Sequence, residues 1–108
     1  MGKTGSLKVC GNTALREGTI HMNPNDGFDL GLMTTLYEVD VVIGTNVDPV
    51  GYADARAAAA TLHLKNEITN GEIHLSVQDT KRLADLKTVS VYRVDESAPR
   101  PKLIVTGS

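Results

Sequence analysis

The sequence predicts a mainly β domain, an antiparallel sandwich or small barrel of about seven or eight strands with one or two short helices. Three observations predict it. Val, Ile and Thr make up a quarter of the 108 residues, and side chains branched at Cβ favour pleated surfaces over helices. Apolar and polar residues alternate along several segments, and turn residues punctuate them at roughly eight- to twelve-residue intervals. Aromatic residues are scarce (three Tyr, one Phe and no Trp), so the core must be built from Val, Leu and Ile. A chain of this length buries roughly 60–70% of its unfolded surface on folding, enough for one core and not for two. Residues 1–108 are therefore expected to form a single β-rich domain.

Each element has its own signal. Residues 7–10 read as a short first strand and residues 19–22 as a second, running into the turn Asn23-Pro24-Asn25-Asp26-Gly27. Residues 28–32 alternate and read as a strand. Residues 35–44 alternate best of all, with Tyr37, Val39, Val41 and Ile43 on one face. The Ala-rich stretch near 53–60 favours a helical turn or two, because Ala is the best helix former. Residues 61–78 read as a hairpin. Asn70-Gly71 suits the positive φ angles of a type I′ turn, and the implied register sets Ile68 against Ile73 and His74 against Glu67. Ser76-Val77-Gln78-Asp79 resembles a capping box, which places a second short helix near 79–86. Residues 89–94 and 102–106 read as the last strands. No internal repeat is evident.

The motifs that could carry chemistry are incomplete. Gly2-Lys3-Thr4 has the end of a phosphate-binding loop without its earlier Gly or preceding strand. The oxygen-bearing run 23–27 has calcium-like spacing, but Met33 stands where the closing acidic ligand belongs. His21, His63 and His74 fall on different predicted segments and form no ligand set on this map. Cys10, the single cysteine, reads as a small strand-end hydrophobe, and alone it makes no intrachain disulfide. No Ser or Thr sits in a strand–elbow–helix context. No catalytic, cofactor-binding or metal site is assigned, and no cofactor is expected.

Charge narrows the partners. The net charge is −2, with an acidic run over 31–60 and a mildly basic last third. Nucleic-acid binders concentrate positive charge more strongly, so nucleic acid is disfavoured. No window of about 18 apolar residues exists, so no membrane span is expected. The N-terminal segment lacks the apolar stretch of a secretory signal, which fits cytoplasmic synthesis and later incorporation into a particle.

Together these features favour a non-enzymatic structural or assembly subunit, such as a virus or phage particle protein (a decoration, capsid- or tail-associated subunit). The expected partner is a second copy or a larger protein assembly, and no small-molecule substrate is identified. Residues 102–106 would form an exposed edge strand in an open sandwich, and edges need cover. The polar N-terminal segment would then lie across an adjacent copy. One alternative is a small dimeric nucleic-acid-binding transcriptional regulator, since strand, helix, strand, strand over residues 73–106 occurs in some of these. A small enzyme is the other.

Overall fold

The computed structural model describes residues 2–45, 47, 57–84, 86–94 and 100–107. It is mainly β, with eight strands and two five-residue helices in the order β1 (Gly2–Lys3), β2 (Leu7–Asn12), β3 (Thr19–Met22), α1 (Pro24–Phe28), β4 (Leu36–Gly44), β5 (Ala58–Leu64), β6 (Glu72–Ser76), α2 (Val77–Lys81), β7 (Thr88–Val94) and β8 (Lys102–Gly107). Seven strands pair in the ring β7-β2-β6-β3-β5-β4-β8, and β8 closes it by pairing with β7. β1 adds to β7 from outside that ring. Alternation along each strand sends Leu7, Ile20, Met22, Val39, Leu62, Ile73, Leu75, Val91 and Leu103 into the barrel, each at most 1% exposed.

The ring is of mixed direction. Three contacts are parallel (β2 with β6, β3 with β5, β4 with β8), and β2–β7, β3–β6, β4–β5 and β7–β8 are antiparallel. A strand lies on either side of Asn70-Gly71, but the first ends at Leu64, five residues short of the expected turn, and the two are not a hairpin. β5 pairs with β3 and β4, and β6 pairs with β2 and β3. Gly71 does adopt positive φ, at 90°. Glu72 N–H closes a local turn on the Thr69 carbonyl at 3.1 Å, and Gly71 N–H donates to the Asp26 carboxylate at 2.9 Å, so the turn is also tied to a distant element.

An internal repeat explains the topology. Residues 7–31 and 60–84 play the same parts in the same order. Each copy carries Gly-x-Ile-His-x-x-x-x-Asp-x-x-x-Leu, from Gly18 to Leu30 and from Gly71 to Leu83. The hydrogen bonds are reciprocal: Gly18 N–H donates to Asp79, and Gly71 N–H donates to Asp26, both at 2.9 Å. Likewise Thr61 N–H reaches the Gly18 carbonyl and Lys8 N–H the Gly71 carbonyl, each at 2.8 Å. Gly18 and Gly71 have φ of 85° and 90°, and Gly31 and Ala84 have 73° and 51°. The two copies meet where β3 pairs with β6, with His21 opposite His74 at the centre. β8 stands outside the repeat and closes the ring.

The helices are capped as their sequences allow. Asn23 accepts from Asn25 N–H, and Pro24 occupies the first turn, where its missing N–H costs nothing. The expected turn over 23–27 is thus α1, and residues 28–32 form no strand. Leu30 and Leu32 instead turn inward, each 1% exposed. Ser76 accepts from Asp79 N–H at 3.1 Å, so the capping box is present, and α2 starts at Val77, two residues earlier than expected. Of the helix expected near 53–60, residues 53–56 lie outside the described residues. Ala58, Ala59 and Ala60 are strand, pairing with Val41, Asp40 and Val39. Cross-strand pairing with β4 overrides the helical propensity of these Ala residues.

Closure also removes the expected edge. β8 lies between β4 and β7, and Ile104 has no exposed surface. The N-terminal segment docks on its own chain: Thr4 is buried, its N–H donating to Val91 O and its Oγ accepting from Val91 N–H. β8 therefore presents no open edge, and β1 forms the end of the pairing order beside β7.

Candidate functional site

The strand register assembles on the barrel's outer face a row that no single segment announces. Across β2, β6, β3 and β5, Cys10 stands beside His74, His74 opposite His21, and His21 beside His63. The three histidines expected to lie apart are therefore neighbours. His74 does not face Glu67, since that register belonged to the hairpin that does not form. The rings of His21 and His63 meet edge to face, with centroids 5.0 Å apart and planes at 72°.

At one end of the row, one ligand atom each from Cys10, Glu72 and His74 lie within 4.8 Å of one another, and all three residues are half-buried. Glu72 precedes His74 by two residues on the same strand, so both point outward from one face. Glu72 Oε1 lies 3.4 Å from His74 Nε2. The Cys10 Sγ sits 3.9 Å from the Lys8 carbonyl. Burial pushes the Cys10 thiol up, the Glu72 carboxylate adds to this, and Lys8 partly opposes it. His21 is pushed down from its ordinary value near 6.5, first by burial and then by the charges of Lys65, His63 and His74, with Glu67 opposing. A thiol, an imidazole and a carboxylate are donors suited to a borderline-soft divalent metal. The sequence clue was the repeated Ile-His dipeptide, but only the parallel β2–β6 register brings Cys10 to it.

A second feature lies around α1. Phe28, Met33 and Leu36 are the large apolar side chains exposed among the described residues, at 66%, 79% and 55%. Phe28 and Met33 flank a pocket of about 250 Å³ that Pro24, Leu32 and Leu64 also line. The corresponding position to Phe28 in the other copy is Lys81.

The remaining motifs are used structurally. Asn23 caps α1 and Asp26 holds Gly71. Gly2-Lys3 is strand, and a Cβ at Gly2 would come within 3.0 Å of the Asp29 carbonyl and the Leu30 Cα. A cleft of about 320 Å³ holds Arg16 and Arg100 with Glu17 and Glu38, a balanced set with no histidine or cysteine. Comparison of the chain with protein-family models, with curated proteins and with solved structures yields no match.

Proposed function

We propose that the barrel is a non-enzymatic assembly subunit that pairs with a second copy of itself through the apolar ledge around α1. The observation that supports this is the exposure of Phe28, Met33 and Leu36 on one short stretch of a small barrel. Exposed apolar clusters of this kind are characteristic of association surfaces. The ledge carries both projections (Phe28, Met33 and Leu36) and a hollow of about 250 Å³, room for one large side chain. A surface with knob and hole together is self-complementary, which a twofold contact between identical copies requires. The edge-strand route to assembly is not part of this reading, because the ring is closed.

The test is Phe28→Lys, which copies the residue at the corresponding position of the repeat, combined with Met33→Lys. Sedimentation of the parent should show a dimer. The variant should be monomeric and folded by circular dichroism, with a denaturation midpoint that matches the parent's at concentrations where the parent is dissociated, since exposed substitutions usually shift stability by no more than about 0.5 kcal/mol. A parent that stays monomeric at high concentration overturns the proposal.

A further inference from the structure

We infer that Cys10, Glu72 and His74 bind one divalent transition-metal ion of the zinc class, which clamps β2 to β6 on the outside of the barrel.

Donor identity comes first. A thiolate, an imidazole and a carboxylate together match zinc and its borderline-soft neighbours, whereas calcium and magnesium select oxygen donors alone. Spacing comes second. Two ligands bound to zinc at about 2.0–2.1 Å in tetrahedral geometry stand about 3.3 Å apart. His74 Nε2 and Glu72 Oε1 are 3.4 Å apart, longer than the roughly 2.7–3.2 Å of a good N–H···O hydrogen bond and close to the edge of that tetrahedron. The Cys10 Sγ lies within 4.8 Å of one ring nitrogen of His74 and one carboxylate oxygen of Glu72, and a bound sulfur and nitrogen would stand about 3.5 Å apart. A side-chain rotation closes that gap without moving a strand.

Backbone support comes third. Parallel pairing holds Cys10 against His74 and Lys8 against Glu72 over five consecutive register positions, so the ligands sit on paired strands rather than on loops. All three are half-buried, dry enough to strengthen coordination and open enough to admit an ion and leave a fourth position to solvent.

The repeat supplies a control within the same molecule. The positions equivalent to Cys10, Glu72 and His74 are His63, Thr19 and His21. That half keeps the imidazoles on the same backbone, paired in the same register, but has neither the thiol nor the carboxylate. Among the described residues, the Cys10 end of the row is where three such donors, two of them anionic when bound, gather within 4.8 Å, so the site is assigned to that end.

The experiment is a titration of the reduced full chain with Co²⁺, followed by the near-ultraviolet thiolate-to-cobalt charge-transfer band, and with Zn²⁺, followed by calorimetry. The parent should bind one ion per chain and show the band, and Zn²⁺ should raise its thermal midpoint, since a ligand that binds only the folded state stabilises it. Cys10→Ser should abolish the band. Glu72→Gln and His74→Gln should each weaken Zn²⁺ binding by at least about tenfold, while His63→Gln leaves it unchanged. All four positions are partly exposed and the variants are close in size, so circular dichroism should show the folded barrel throughout. The inference is overturned if the folded parent shows no band, if Cys10→Ser retains Zn²⁺ affinity, if His63→Gln weakens binding as much as His74→Gln, or if one ion is shared between two chains.

Discussion

The two copies of the repeat, residues 7–31 and 60–84, share a backbone and differ on their surfaces. They share buried carboxylates, glycines with special φ, the core residues Ile20/Ile73 and Leu30/Leu83, and the outward His21/His74 pair. Gly18 and Gly71 take positive φ, and Asp26 and Asp79 accept from each other's glycine. What differs is outward. Phe28 answers to Lys81, Cys10 to His63, and Glu72 to Thr19. At the two equivalent helix–strand contacts between the copies the sizes are exchanged: Gly27 lies under Leu64, and Thr80 lies over Gly11. Positions that satisfy buried backbone groups are held alike, because an unpaired buried donor is costly. Solvent-facing positions on the same frame are free to acquire separate roles.

Breaking the shared part should have the largest effect. Asp79 is 1% exposed and accepts from Gly18 N–H and from the Ser76 hydroxyl, both at 2.9 Å. Asp26 is 7% exposed and accepts from Gly71 N–H at 2.9 Å. Asp79→Ala strands two buried donors and should cost about 3 kcal/mol, and Asp26→Ala, stranding one, about 2 kcal/mol. Urea denaturation of the pair checks this, and the reverse ranking would show that the two reciprocal clamps are not equivalent in kind.

The exchange of size should come next. A Cβ on Gly27 would lie 2.6 Å from Leu64 Cδ1, whereas one on Gly11 would meet Thr80 Cγ2 at an ordinary 3.7 Å. Gly27→Ala should therefore cost about 2 kcal/mol by overpacking, and Gly11→Ala less than about 1 kcal/mol. Adding Leu64→Ala to Gly27→Ala should destabilise less than the sum of the two single changes. A double-mutant cycle showing simple additivity would separate the two positions energetically.

The smallest effect is the pH response of the histidine row. His21 titrates below its ordinary value near 6.5 when folded, so the unfolded chain takes up the proton first. Stability is then fully present above that value and falls as pH drops below it. His21→Gln should flatten the decline in denaturation midpoint between neutral pH and about pH 5, the range in which an unperturbed histidine titrates. An unaltered slope would remove His21 from the acid response.

Local chemistry determined much of this protein in advance. The alternation in residues 36–44 put Tyr37, Val39, Val41 and Ile43 on the inner face, where Val39 and Val41 are buried and Tyr37 and Ile43 pack against the core. Residues 19–22 are strand as read, and the Ser76 capping box opens a helix, because a side-chain oxygen three residues ahead satisfies an otherwise orphaned amide. Period-two patterning reports which face of a strand is apolar, but says nothing about which strand lies alongside. Asn70-Gly71 therefore read as a local hairpin, while the fold sends the two strands to different neighbours and secures Gly71 with a carboxylate 45 residues away. The repeat was hidden because its copies share a few spaced residues, most with a backbone or core duty, and vary the rest. Tertiary structure alone decided the ring closure that buries Ile104 and the register that sets Cys10 beside His74. Both depend on contacts between segments far apart in the chain, where the gain from burial and pairing outweighs the local preference of any one segment.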